Sequence, residues 1–132
     1  MILYAAADLL WATRIKETCV SLGIAARPVR TLEMLGARLA DSPVRGLIVD
    51  LETGDLGLEL IRRARAAGSA RPGLAVVAFG PHVAADLFAA ARAAGADRVL
   101  ARGAFSDRLP ELLRALSEPG PPDAPEGSIA PG

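Results

Sequence analysis

Cysteine and histidine, two side chains that enzymes often use for chemistry, are scarce in this sequence of 132 residues. It contains one cysteine, Cys19, and one histidine, His82. A single cysteine excludes an intramolecular disulfide, and this pair of residues lacks the multi-Cys/His spacing of a zinc site. No glycine-rich phosphate loop follows the first apolar run, because residues 5–9 are AAADL, so a dinucleotide site is not expected. We therefore predict that the chain is not an enzyme.

An excess of one charge and long apolar runs are also missing. The 15 basic residues balance the 15 acidic ones, so electrostatics gives no reason to expect a nucleic-acid partner. No basic segment followed by an apolar run and a cleavage site is present at the start, and the apolar stretches are far too short to span a bilayer. A cytoplasmic protein with no membrane or nucleic-acid partner is predicted.

Apolar residues, by contrast, make up 52% of the sequence. They form five short runs that alternate with longer helical patterns. Runs such as 47–49, LIV, are continuous, which is typical of strands covered by helices on both faces. The strands are predicted over residues 2–6, 25–29, 46–51, 74–79 and 98–101.

Helical periodicity fills the segments between these strands. Helices are predicted over 9–22, from an N-cap at Thr31, from Asp55 to a stop at Gly68, over 82–94, and from about Asp107. Gly23 closes the first helix as a C-cap. In the last helix, Pro110 would fall in the first turn, where proline is tolerated.

The alternation of strand and helix predicts the topology. Parallel strands need right-handed crossover connections, so residues 1–117 should form one α/β domain. We predict a doubly wound, five-stranded parallel sheet of flavodoxin-like type, in the order 2-1-3-4-5. Helices 1 and 5 should cover one face and helices 2 to 4 the other. Residues 118–132, rich in proline and glycine, are predicted to be a disordered tail.

In an open parallel sheet, ligands and chemistry lie at the carboxyl ends of the strands. The residues predicted at this edge are Ala6, Ala7 and Asp8 after strand 1, Asp50 and Glu52 after strand 3, Phe79, Gly80, Pro81 and His82 after strand 4, and Arg102 and Gly103 after strand 5.

These positions resemble the receiver domain of bacterial response regulators (CheY-like). The resemblance is carried by the order of elements, by Asp50 at the end of strand 3 in LIVD, and by the AGAD turn at 94–97 that leads into strand 5. Arg102 and Phe105 are similar to the family's lysine and to the aromatic residue just beyond it. The resemblance covers about residues 1–117.

The resemblance implies which residues would take part in phosphorylation. A working receiver accepts a phosphoryl group on the strand 3 aspartate, here Asp50, beside a Mg²⁺ held by an acidic pair after strand 1. A hydroxyl after strand 4 and a lysine after strand 5 bind the phosphoryl oxygens. In this sequence the acidic pair falls on Ala6 and Ala7, residues 74–83 contain no Ser or Thr, and the lysine position is Arg102. The chain therefore resembles a degenerate pseudo-receiver.

Three functions follow as hypotheses. The first is a non-catalytic interaction module in bacterial signal transduction, without a cofactor, that binds protein partners or a second copy of itself through a face such as helix 4, strand 5 and helix 5. The second is an atypical phosphorylatable receiver of a two-component system that uses Asp50 and holds Mg²⁺ weakly with Asp8. The third is a small-ligand binder at the carboxyl edge of the sheet, in a pocket framed by Trp11, Asp50, Phe79 and His82.

Four of these residues also have a structural interpretation. Asp50 would cap the following loop or pair with Arg102, and Asp8 would be the N-cap of helix 1. His82 would be an exposed residue at the start of helix 4. Cys19 would be a small core residue.

Overall fold

The structure is a computed structural model that describes residues 1–68 and 73–118. Within these residues a five-stranded parallel sheet has the order β2-β1-β3-β4-β5. The strands are β1 (Ile2–Ala5), β2 (Ala26–Pro28), β3 (Gly46–Asp50), β4 (Ala75–Gly80) and β5 (Arg98–Ala101). The helices are α1 (Leu9–Leu22), α2 (Leu32–Asp41), α3 (Asp55–Gly68), α4 (Ala85–Ala94) and α5 (Arg102–Ser117), with a 3-10 turn at Leu51–Thr53. The predicted fold is confirmed.

The central strands explain the continuous apolar runs of the sequence. Every residue of β1 and β3 is buried, because helices cover both faces of the sheet. Ile48 packs into the core beneath α1 and α5, whereas its neighbours Leu47 and Val49 pack into the core beneath α2, α3 and α4. The predicted distribution of helices over the two faces is therefore correct.

Helix ends follow the capping chemistry of the sequence. Asp8 Oδ1 accepts a hydrogen bond from the Trp11 N–H at 3.0 Å, and Thr31 Oγ1 accepts one from the Met34 N–H at 3.0 Å. Both residues are N-caps, as predicted. Gly23 closes α1 in the left-handed conformation, with a φ of 71°. Of the helices in the described ranges, none is long and apolar enough to cross a bilayer.

The start of α4 differs from its prediction. The helix begins at Ala85 rather than at His82. Residues 81–84 form a turn instead, in which the Ala84 N–H donates to the Pro81 carbonyl at 3.0 Å. His82 is exposed in this turn and precedes the helix. The alanine-rich pattern concealed this boundary, since no side chain caps the helix start.

The start of α5 also differs from its prediction. This helix begins at Arg102, directly after β5, rather than near Asp107. Pro110 therefore lies inside the helix and not in its first turn. The early start places the fully buried ring of Phe105 against that of Phe79, with centroids 4.0 Å apart. Burying this aromatic surface favours the early helical turn, and a local pattern cannot show it.

Residues 119–132 of the predicted disordered tail lie outside the described residues. Helix α5 ends at Ser117, and the backbone N–H of Glu118 caps it by donating to the Arg114 carbonyl at 3.1 Å.

Candidate functional site at the carboxyl edge of the sheet

Asp50 lies in the middle of the carboxyl edge and is the one buried charged residue among those described. Its exposed fraction is 0%. Its Oδ2 accepts the Ala7 N–H at 3.0 Å, and its Oδ1 accepts the Glu52 N–H at 3.0 Å. The carboxylate therefore joins the loop after β1 to the turn after its own strand. The prediction that Asp50 caps the following loop is confirmed.

The register of the sheet brings these groups together. Strands β1 and β3 are parallel neighbours, and Ala5 is paired with Val49, so the loop that leaves β1 passes beside Asp50. The turn after β3 is held by a second bond, in which Thr53 Oγ1 donates to the Asp50 carbonyl at 2.6 Å. The geometry around the carboxylate is thus set by β-sheet pairing and by a local turn.

Arg102 has a different partner from the one predicted. Its guanidinium pairs with Glu52 Oε1 at 2.5 Å, not with Asp50, so the predicted Asp50–Arg102 pair is wrong. The two side chains are 34% and 46% exposed, and such ion pairs contribute little to stability. Arg102 Nε is buried and has no hydrogen-bond partner within the part of the chain that the structure describes. An unpaired buried donor typically costs about 1–3 kcal/mol.

The residues after β1 contribute one carboxylate, that of Asp8, and no acidic pair. Ala6 is half-buried and Ala7 is exposed. Asp8 is exposed, but its Oδ1 caps α1.

These residues do not fit a magnesium ion. Magnesium requires several oxygen ligands in octahedral geometry. Asp50 has no exposed surface, and Glu52 is paired with Arg102. In residues 1–68 and 73–118, no group of three or more His, Cys, Asp or Glu side chains is placed to hold a metal ion.

The end of β4 is apolar. Gly80 is buried against Leu51 and Phe88, and a Cβ at Gly80 would lie 3.3 Å from the Leu51 Cβ and 3.5 Å from the Phe88 ring. The space beside the strand end is therefore already filled by hydrocarbon. The sequence supplies no hydroxyl here, and the packing leaves little room for one.

Three aromatic rings form a cluster below this edge. Phe79 and Phe105 stack with centroids 4.0 Å apart, and Trp11 is tilted against them with centroid distances of 5.1 and 5.7 Å. They are three of the five aromatic residues in the chain. Trp11 is therefore a packing residue in this cluster. The sequence placed Trp11 and Phe79 at the same edge of the sheet, but the stacking of Phe105 on Phe79 had no signal in the sequence.

No family model matches the sequence, and no curated protein matches it. Solved structures do. A response regulator from Thermotoga maritima has a TM-score of 0.68 at 19% identity, over 87% of this chain and 94% of that chain. The receiver domain of NtrX from Brucella abortus has a TM-score of 0.70 at 20% identity, over 90% of this chain and 100% of that chain.

A response regulator protein from Burkholderia pseudomallei, solved with a phosphorylated aspartic acid, is also similar. Its TM-score is 0.66 at 20% identity, and the match covers 89% of this chain and 65% of that chain. These similarities establish the fold: the chain has the fold of response regulator receiver domains.

Proposed function

We propose that this chain is a non-catalytic receiver-like module that binds protein partners and is not phosphorylated on Asp50. The observation that carries the proposal is the state of the Asp50 carboxylate. It has no exposed surface, and each of its oxygens accepts a backbone N–H. To attack a phosphodonor, one oxygen would have to become exposed. Exposure would disturb the loop after β1 or the turn after β3, which are held to the carboxylate by hydrogen bonds that contribute about 1.5–3 kcal/mol each.

The charges around Asp50 also oppose phosphorylation. A phosphorylated side chain carries about −1.5 to −2 charges near neutral pH. At this edge the nearby cation is Arg102, and its charge is already paired with that of Glu52. Without a metal ion, the remaining groups would not compensate the added charge. The retained aspartate is therefore used for structure rather than for chemistry.

The surface around α4, β5 and α5 is the proposed contact face. Strand β5 is an edge of the sheet, and its residues are exposed or half-buried. A cavity of about 700 Å³ lies beside it and is lined by Ala75, Val77, Arg98, Leu112 and Ala115 among others. Edge strands present unpaired backbone groups that favour association. A protein partner or a second copy of the chain fits this surface.

A fluoride mimic of the phosphoryl group tests whether Asp50 can be phosphorylated. With beryllofluoride and Mg²⁺, the amide shifts of Ala7 and Glu52 should stay unchanged in the wild-type chain. Acetyl phosphate should add no phosphoryl group to the intact mass. The variant with Ala6→Asp and Ala7→Asp is the comparison, because it restores carboxylates after β1. Mg²⁺-dependent labelling of the wild type that disappears in Asp50→Asn would refute the proposal.

Capture of protein partners tests the proposed contact face around α4, β5 and α5. Asp50→Asn should retain the partners that the wild type binds, since the site plays no part in switching. Ala115→Arg should lose them, because it places a charged side chain beside the cavity at α5. Arg63→Glu, on an exposed position of α3, is the control and should retain them. Equal retention by all three variants would place the contact elsewhere.

Phosphorylation remains the second candidate function because of one observation. The buried Nε–H of Arg102, which has no partner among the described residues, lies at the position where the resemblance expects a cation that binds phosphoryl oxygens. Arginine also pairs well with phosphate. The labelling experiment above decides between the two candidates. A small-ligand site at this edge has less support, because Asp50 and Phe79 are fully buried and present no surface to a ligand.

A further inference from the structure

A cationic groove lies between α1 and the edge strand β2. It has a volume of about 490 Å³, and its inner surface includes the buried Tyr4 and the half-buried Pro28. Three exposed cations line it, Lys16 from α1 and Arg27 and Arg30 from β2 and the segment after it. No Asp or Glu is among its lining residues.

Within residues 1–68 and 73–118, the three cations have no carboxylate partner. The ion pairs found between described residues involve Arg62, Arg65 and Arg102, and none of these lines the groove. Like charges that converge without a counter-charge create a positive potential. The groove is therefore complementary to an acidic segment that also carries apolar surface.

The chain itself contains such a segment. Residues 118–132 contain Glu118, Asp123 and Glu126, no Lys or Arg, and five prolines. Because these three acids leave 12 for the 15 basic residues elsewhere, residues 1–117 carry a net charge of +3. Proline favours extended backbone and offers apolar surface. Proline-rich segments commonly bind in grooves that contain aromatic side chains.

The end of α5 lies within reach of the groove. Leu116 packs over Gly46, and a Cβ at Gly46 would lie 3.1 Å from the Leu116 Cβ. Gly46 is paired with Ile2, and Ile2 is paired with Ala26, which lines the groove. Two strand spacings, about 10 Å, therefore separate Gly46 from the groove. The 14 residues from 119 to 132 can extend over about 45 Å.

We propose that residues 119–132 bind in the cationic groove of the same chain. The tether raises the effective concentration of the segment into the millimolar range, so weak contacts suffice. The acids compensate Lys16, Arg27 and Arg30, and the prolines cover the inner surface. The groove lies at the β2 edge, whereas the proposed partner face lies at the β5 edge, so this proposal does not depend on the function proposed above.

A spin label on the segment tests the proposal in the full-length protein. Ser128→Cys provides the attachment point, and Cys19 should stay unlabelled because it is buried and its thiol has a pKa raised to about 11. Amide signals of Ala12, Lys16 and Arg27 should broaden, whereas that of Arg92 on α4 should not. The broadening should weaken at high salt, since ionic screening reduces attraction between exposed charges.

Charge variants provide the controls. Replacement of Lys16, Arg27 and Arg30 by Glu should abolish the broadening. The matched replacement of Arg63, Arg92 and Arg108 by Glu should leave the broadening unchanged. Asp123→Asn with Glu126→Gln should also reduce it, without any change to the folded domain. Absence of broadening at the groove, or its persistence after the groove charges are reversed, would overturn the proposal. Broadening seen only when labelled and isotope-enriched chains are mixed would show binding to a second copy and would overturn it equally.

Discussion

Replacement of Asp50 should destabilise the fold, because its carboxylate is buried and holds two backbone donors. Asp50→Ala leaves the N–H groups of Ala7 and Glu52 without an acceptor. Hydrogen bonds to a charged acceptor contribute about 1.5–3 kcal/mol each, so the two together represent about 3–6 kcal/mol. Relief from burying the charge offsets part of this. We expect a loss of about 3 kcal/mol or more, a large fraction of the 5–15 kcal/mol that is typical of a domain.

Asp50→Asn provides an intermediate case. The amide keeps one carbonyl oxygen for one of the two N–H groups but turns an NH₂ toward the other. One charge-assisted bond is therefore lost outright, and the expected loss is about 1.5–3 kcal/mol. This variant should remain folded, which makes it suitable for the partner-binding experiment.

Equilibrium unfolding in urea, followed by circular dichroism, measures these free energies. Asp8→Asn is the control, because Asp8 also accepts a backbone N–H but is exposed, and asparagine is as good an N-cap as aspartate. Its stability should match that of the wild type. If the carboxylate of Asp50 were a free phosphoacceptor beside other acids, its neutralisation would relieve repulsion. Unchanged or increased stability of Asp50→Asn would therefore refute the structural role.

Three further predictions concern the rest of the fold. Cys19 should resist alkylation by iodoacetamide at neutral pH and react on unfolding, because it is buried and its pKa is raised to about 11 by desolvation. Rapid labelling of the native protein, detected by mass spectrometry, would contradict this prediction. Asp97→Ala should lower the free energy of unfolding in urea, because Asp97 Oδ2 accepts both the Arg65 guanidinium at 2.5 Å and the backbone N–H of Val76 in β4 at 2.7 Å. A loss no larger than the about 0–1 kcal/mol of a partly exposed ion pair would show that the backbone bond contributes nothing. Gly57→Ala should lower the thermal midpoint, because a Cβ there overlaps side chains of the preceding turn and of β3. In the control Gly36→Ala, the added Cβ meets nothing within 4 Å, and the variant should gain up to about 1 kcal/mol of stability from helix propensity. A stabilised Gly57→Ala would be inconsistent with the packing.

The fold could be predicted from the sequence because its determinants are local and repeated. Continuous apolar runs such as residues 47–49 identify strands that are buried on both faces. Side-chain caps at Asp8 and Thr31, and the glycine at Gly23, mark helix ends by short-range hydrogen bonds and backbone conformation. Once strands and helices alternate, the right-handed crossover rule leaves few topologies.

Two helix starts were not determined by such signals. The segment before α4 has no capping side chain, and the first turn of α5 depends on the burial of Phe105 against Phe79. These residues are 26 positions apart in the sequence, so the contact that stabilises the turn has no local pattern. Tertiary packing selected the start of α5, whereas the start of α4 has no side-chain signal in the sequence.

The sequence by itself determined that the carboxyl edge carries one aspartate after β3, alanines after β1, and no hydroxyl after β4. Only the tertiary structure decided what that aspartate does. The donor that occupies Asp50 Oδ2 comes from a loop 43 residues earlier, and Arg102 pairs with Glu52 instead. The sequence gives the charged groups that are available. The partner of each charge depends on the distances between strands and loops, and these distances are set only when the sheet forms.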